Sequence, residues 1–343
     1  MREQQSGAPT RVRTMEEFSA ASGISRPTLS RFFSDPHSVR KATRLKIEEA
    51  IEQFGYRPNL FATNFNRRNP KTLGIMVPSF MDPFYAALVQ WIERQALALG
   101  YWSVVQNSHG DPEREAEAAA TLISLKVAGA IAIPLGYASR EGLFGQMADI
   151  MSLVLLDSQA DAASAFVGTD NQQSMGLMVD YLLRSGSPPT YFDMPDVNQN
   201  ARERRRGYET AMQGHGAEAR VIQVRSRGWD FERIAFDEAS QVFKNGAPAG
   251  GTILCANDRI AFGVMAAACQ SGLAIGRLGE LRVAGHDDHP LSQFACPPLT
   301  TVAQDVERLA TVSLERLMQG ISSGTNTDVD QRLEAKLIMR ASA

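Results

Sequence analysis

From Thr72 onward, polar and aromatic residues recur in one kind of place in this 343-residue chain, directly after short apolar runs. Asp82, Phe84 and Tyr85 follow Leu73-Gly74-Ile75-Met76-Val77, Asp157 follows Leu153-Val154-Leu155-Leu156, and Asp170-Asn171 follow the run at 165–169. Then come Arg204, three residues ahead of Gly207, and Trp229, Asn257-Asp258, His286-Asp287-Asp288 and Gln304. Asp and Asn exchange hydrogen bonds with neighbouring hydroxyls, Arg clamps ring or hydroxyl oxygens, and aromatic faces lie against C–H-rich surfaces. Such a set suits a small polyhydroxylated ligand. Several members have a second use. Asp170, Asn257 and Asp258 stand where a strand-to-helix turn needs an N-cap; capping is the expectation for Asp170 and Asp258, ligand contact for Asn257. Arg204 lies in the charged run Arg202 to Arg206 and can pair with a nearby acid, but contact with ligand is expected of it, as of Trp229 and Asp287.

Catalysis finds little support. The chain has no G-x-S-x-G elbow, P-loop or H-E-x-x-H helix. His286 and His289 beside Asp287-Asp288 lack a clear third metal ligand and read as loop and ligand-contact residues. Cys255, Cys269 and Cys296 are odd in number, without metal-like spacing, and read as reduced, mostly buried cytosolic residues. A non-enzyme with no metal and no cofactor is the expectation. With 44% hydrophobic residues a substantial core is available, yet no run reaches signal-peptide or membrane-span character, so the expected place is the cytoplasm.

Positioning these residues calls for alternating strands and helices. Strands are predicted at 73–77, 102–105, 129–133, 153–156, 165–169, 189–194, 220–225, 251–256 and 281–286, with helices between them, including one near 139–149. Strands alternating with helices of this length indicate parallel sheets. The blocks around 70–168 and 170–290 are each the size of a doubly wound lobe, giving an α/β fold class with two such lobes. Open parallel sheets bind ligands beyond the carboxyl ends of their strands, so a cleft between lobes is the expected site.

The N-terminal stretch is of another kind. Thr14 with Glu17 forms an S/T-x-x-E capping box, a first helix runs to about Ser22, and Gly23 ends it. Ser25 is expected to cap a second helix beginning Arg26-Pro27-Thr28-Leu29-Ser30-Arg31, and Val39 to Ile51 reads as a third helix closing at Gly55. Two short helices around a Gly-containing turn make a helix-turn-helix, whose second helix meets base edges in the major groove. Charge agrees: residues 1–68 carry +5 and the rest −8, placing an acidic polymer at the N-terminal end. Arg26 can pair with guanine, whereas Pro27 can only pack on a thymine methyl or shape the helix. Thr28, Arg31 and Arg44 are assigned to phosphate, Arg31 also within reach of a base. Leu29 and Ser30 read as packing residues.

Gly23-Ile24-Ser25-x-x-Thr28-Leu29-Ser30-Arg31, Thr43-Arg44 and Gly55-Tyr56-Arg57-Pro58-Asn59-x-x-Ala62 together resemble the headpiece of the LacI (lactose-repressor) family. The resemblance extends over nearly the whole chain, to a core similar to periplasmic sugar-binding proteins. It implies a repressor that binds double-stranded DNA at a palindromic operator and responds to a sugar-like effector. It implies ligand roles for Asp82, Phe84, Tyr85, Asp157, Arg204, Trp229, Asn257 and Asp287, with Gln304 in the crossover between lobes. Asp82 replaces the asparagine common at its station. The resemblance also makes 59–66 a hinge helix, with Asn59 and Ala62 facing DNA and Phe65 holding the place of the leucine that wedges the minor groove; a linker aromatic packed on the core is the other reading of Phe65. The expected domains are a headpiece at 1–58, a hinge and linker at 59–70, and a core at 71–343. Lobe 1 takes about 71–169 and 304–331, lobe 2 about 170–303 and 332–343. No apolar heptads trail the last predicted strand, so a homodimer joined through the core is expected rather than a tetramer.

Overall fold

The computed structural model describes residues 12–57, 70–248 and 250–343, and the chain divides into two compact units, Met1–Lys71 and Thr72–Ala343. The smaller unit holds α1 (Met15–Ser22), α2 (Arg26–Ser34) and α3 (Lys41–Phe54). Thr14 accepts from the Glu17 N–H while the Glu17 carboxylate accepts from the Thr14 N–H, so the capping box is complete. Gly23 stops α1 at φ 66°, in the left-handed region a β-carbon disfavours. Ser25 occupies the N-cap position of α2, but its hydroxyl bonds the Thr28 hydroxyl at 2.8 Å instead of a backbone N–H. The core is aromatic: Phe18 stacks on Tyr56 with centroids 4.3 Å apart, and Phe33 and Phe54 close around them. Leu29, Ile47 and Ala50 complete it.

In the larger unit the predicted alternation appears as β1 (Thr72–Val77), α4 (Pro83–Ala98), β2 (Trp102–Asn107), α5 (Pro112–Ser124), β3 (Gly129–Ala132), α6 (Leu143–Ile150), β4 (Ser152–Leu156) and β5 (Ala165–Thr169). Next come α7 (Asn171–Ser185), β6 (Thr190–Phe192), α8 (Gln199–Gly214), β7 (Arg220–Ile222), α9 (Phe231–Val242), β8 (Thr252–Cys255), α10 (Asp258–Gln270) and β9 (Arg282–Ala284). The chain closes with β10 (Thr301–Ala303), α11 (Val306–Ser323), β11 (Asp330–Leu333) and β12 (Lys336–Ile338). The helix expected near 139–149 begins later, because Gly142 at its N-cap lies at φ 72°.

Lobe 1 is a six-stranded parallel sheet in the order β11-β5-β4-β3-β1-β2, and lobe 2 a four-stranded parallel sheet in the order β7-β6-β8-β9. The antiparallel pair β10-β12 lies outside both. In each main sheet the first strand of the lobe pairs on both sides, β1 between β2 and β3, β6 between β7 and β8. Connections therefore reverse direction beside it, and a crevice opens at the carboxyl ends. Lobe 1 packs Leu73, Ile75, Leu88, Ile92, Leu309 and Leu317 on one face of its sheet and Met76, Leu122, Phe144, Met147 and Leu153 on the other. Each such side chain contributes about 1.5–3 kcal/mol by leaving water, enough to make these sheets a stiff mount for the loops.

Candidate functional site: an interlobe cleft and a basic helical face

All nine ligand candidates named from sequence line one cavity between the lobes: Asp82, Phe84, Tyr85, Asp157, Arg204, Trp229, Asn257, Asp287 and Gln304. Met194, Asn198, Asn200 and Phe231 complete the lining. These four were missed, although Met194, Asn198 and Asn200 follow β6 as the others follow their strands, and Phe231 sits two residues beyond Trp229. The free volume is about 30 Å³, room for a water or two and far below the roughly 300–1,000 Å³ of small-molecule pockets. The cleft is therefore closed, and entry of a ligand requires the lobes to part.

The far wall is built around Arg204, on the first turns of α8 and buried. Its Nε donates to Asn171 Oδ1 at 3.0 Å, Nη1 to the Ala256 carbonyl at 3.0 Å, and Nη2 lies 3.1 Å from Asp287 Oδ1. That same Asp287 oxygen receives Gln304 Nε2 at 2.8 Å and His286 Nδ1 at 2.8 Å. Burial pushes the Asp287 carboxyl up, but Arg204 and the His286 bond outweigh it and hold the group below its ordinary value. The ion pair allowed for Arg204 thus exists, and its partner is another ligand candidate. His286 is not a ligand contact. It is fully buried behind Asp287, with Nε2 3.0 Å from the Ser174 hydroxyl. Burial, and then the charge of Arg204, bring its imidazole down to about 4, so neutral His286 donates from Nδ1 to the Asp287 carboxylate.

Asp157 dominates the near wall. It is 6% exposed, and its backbone is held at φ 63°, which costs a non-glycine residue on the order of 1–3 kcal/mol and is characteristic of functional sites. The carboxylate accepts a long 3.5 Å bond from the Tyr85 hydroxyl, while the Asn200 amide donates to the Asp157 carbonyl at 3.0 Å. Burial raises its carboxyl to about 7, opposed by Arg204 and reinforced by Asp287 and Asp82. Trp229 packs against the cores of both lobes. The loop after β3 meets the other lobe at Gly136, where a β-carbon would lie 2.6 Å from Asn198 Cβ.

The cleft's mouth is spanned by Arg259, which the sequence reading did not single out. From the first turn of α10 in lobe 2 it grips Glu232 at 2.7 and 2.6 Å and donates to the Trp229 carbonyl at 3.1 Å. Its Nη1 crosses to Asp82 of lobe 1 at 3.2 Å. Asp82 is also the N-cap of α4, accepting from the Phe84 N–H at 3.0 Å. Asp170 caps α7 as expected, but α10 is capped by Asn257 and not by Asp258. Asp258 lies one residue further on, fully buried. Its carboxylate accepts from the His289 N–H at 2.8 Å and from the Ser292 and Thr301 hydroxyls at 2.6 Å each.

On α2, Arg26, Pro27, Ser30 and Arg31 are exposed along one face, Leu29 is buried and Thr28 half-buried. Ser30 therefore belongs to the presented face and not to the packing. Arg26 pairs with Glu16 at 2.9 Å, both largely exposed, a contact that water and salt screen. Arg44 bonds His37 Nδ1 at 3.2 Å. Asn59, Ala62 and Phe65 lie outside the described residues.

Known proteins share the domain order and fold. Residues 14–59 match the description "Bacterial regulatory proteins, lacI family", and 179–343 match a periplasmic binding protein-like domain. The chain is 27% identical over 335 residues to the ribose operon repressor of Escherichia coli, covering 96% of this chain and 99% of the relative. It is equally 27% identical over 337 residues to the transcriptional repressor CytR of the same species, covering 96% of each. Among solved structures, a lac repressor dimer bound to operator and an anti-inducer shares the fold at a TM-score of 0.82, with 24% identity over 96% of this chain and 98% of that one. A periplasmic binding protein/LacI transcriptional regulator of Alkaliphilus metalliredigens, complexed with D-xylulofuranose, aligns at a TM-score of 0.69 and 25% identity over 80% of this chain and 99% of that one. A helix-turn-helix unit followed by a two-lobed binding core defines a class, the ligand-responsive DNA-binding regulators. Within that class the chain carries a lacI-family DNA-binding domain at residues 14–59 and a periplasmic-binding-protein-like domain at 179–343. Among the described residues no helix is long and apolar enough to cross a membrane.

Proposed function

We propose that this chain is a cytoplasmic transcriptional repressor that binds a palindromic operator as a homodimer and is controlled by a small polyhydroxylated effector, of the sugar class, held between its lobes. One observation carries the reading. Nine side chains spread from Asp82 to Gln304, drawn from both lobes, meet in one cleft of a chain that begins with a helix-turn-helix. Relatives named for repression, and a D-xylulofuranose complex of the same fold, support it. The chain acts by binding and not by catalysis.

The proposed division is a headpiece to residue 58, a hinge and linker at 59–70, and a core from 71. Arg26 reads a guanine, Pro27 shapes the helix or packs on a thymine methyl, Thr28, Arg31 and Arg44 hold phosphate, and Asn59, Ala62 and Phe65 engage the minor groove. Effector contact at Arg204, Trp229 and Asp287 changes lobe closure and so the attachment of the hinges. It can shift operator affinity only by its differential affinity for the two closures, about 1–3 kcal/mol in coupling.

An operator selected from randomised palindromes, titrated by fluorescence anisotropy with and without a sugar panel, tests this. Arg204→Ala should lose the ligand response while keeping operator affinity. Arg26→Ala should weaken the operator by about 1–3 kcal/mol and relax preference at one symmetric base-pair position. A full ligand response in Arg204→Ala would overturn the cleft assignment.

A further inference from the structure

The charges facing the cleft do not balance. Asp82, Asp157, Asp287 and Glu232 stand against Arg204 and Arg259, so carboxylates outnumber guanidiniums four to two, and Asp157 ionises only near pH 7. Both guanidiniums are committed. Arg204 bonds Asn171, the Ala256 carbonyl and Asp287, and Arg259 bonds Glu232, Asp82 and the Trp229 carbonyl. The two nearby imidazoles add no charge, because burial lowers both His286 and His289. Glu203 and Asp193, outside the cavity lining, have their own cations in Arg332 and Arg205.

The residue left over is Asp157. It is almost fully buried, lines the cavity, makes no ion pair, and is met at its carboxylate by neutral donors alone, the long Tyr85 bond and the Asn200 amide. Its left-handed backbone aims the group inward at an energetic cost that no helix cap or ion pair repays. Phe84, Tyr85 and Trp229 line the same cavity, and aromatic faces attract cations as well as C–H surfaces; the Phe231 face is already taken by Arg259.

We propose that the effector is a polyhydroxylated amine, an amino sugar or a compound of that chemistry, whose ammonium group sits against Asp157. This rests on the cleft being the effector site. A neutral sugar can donate hydroxyls to Asp157 but gives its ionised form no countercharge in a closed, water-poor space. An acidic sugar meets like charge. An ammonium supplies both the donor and the missing charge.

The test uses the full chain and matched pairs by isothermal titration calorimetry at pH 7.5: glucosamine with glucose, galactosamine with galactose, mannosamine with mannose, glucamine with sorbitol, and glucuronate as the anionic arm. At least one amine should bind about tenfold tighter than its hydroxyl parent, the difference between a charged and a neutral hydrogen bond. Asp157→Asn should bring that pair to parity. If no amine in the panel exceeds its parent, the inference is wrong. Neutral sugars that bind in an Arg204-dependent manner would then leave the cleft reading standing. Amine binding that survives both Asp157→Asn and Arg204→Ala would instead overturn the cleft reading itself.

Discussion

Asp157 in lobe 1 and Asp258 in lobe 2 are both buried carboxylates, and burial carries both to about 7, Asp287's charge adding to each. Their surroundings differ. Asp258 sits behind the cleft and receives one backbone N–H and two hydroxyls at 2.6 to 2.8 Å, so it staples the segment 289–301 to the start of α10. Asp157 faces the cavity and receives a 3.5 Å bond from Tyr85 and a contact from the Asn200 amide, with no backbone N–H and no short hydroxyl bond. Equal burial with unequal satisfaction separates a group that holds the structure together from one kept ready for a partner. Asp82 lies between them, with one oxygen capping α4 and the other in the ion pair with Arg259.

The largest expected effect breaks the satisfied member. Asp258→Ala strands three donors in a dry interior and should cost about 3–5 kcal/mol, seen as a fall of roughly 10 °C in the calorimetric Tm. A loss below about 1 kcal/mol would put Asp258 in the same position as Asp157 and remove the contrast.

The second acts in the opposite direction. Asp157 carries an ordinary value of 3.8 when unfolded and about 7 when folded, so the folded chain holds its proton more tightly. Its ionisation penalty is absent below pH 4, grows between, and is fully present above 7. Asp157→Asn should therefore stabilise the unliganded chain, little at pH 4.5 and by on the order of a few kcal/mol at pH 8. His286 tilts the parent profile the other way: its folded value near 4 lies below the ordinary 6.5, so stability is lost as pH falls through that window. The variant-minus-parent Tm difference from pH 4.5 to 8 isolates Asp157, and a flat difference would contradict the assignment.

The smallest effect sharpens the intermediate case. Asp82→Asn removes the cross-cleft ion pair but leaves Arg259 on Glu232, a partly exposed contact, and should shift lobe closure toward open by about 1–2 kcal/mol. Small-angle scattering of the unliganded chain should show a larger radius of gyration. No change would mean that Asp82 serves only as the cap of α4.

The cleft was legible because its chemistry is tied to local pattern. A polar residue just past an apolar run in a parallel sheet must emerge at the carboxyl end, so Asp82, Asp157, Asn257 and Asp287 could be named from spacing alone. The capping box at Thr14 and Glu17 and the stop at Gly23 were legible for the same reason, being settled within one helical turn. Arg259 was not. It lies inside an ordinary helical stretch, and only the approach of the opposite lobe gives it Asp82 as a partner.

By itself the sequence determined the class of protein: a basic helix-turn-helix, two alternating α/β lobes and an inventory of side chains at strand ends, all consequences of periodicity and short-range turns. Tertiary structure alone decided how those side chains are used. It placed Asp258 in a net of donors instead of on a helix cap, sealed His286 behind Asp287, committed both arginines to partners and left Asp157 without a cation of its own. Whether a buried charge is satisfied depends on residues far away in the chain and close in space, and no local pattern carries that information.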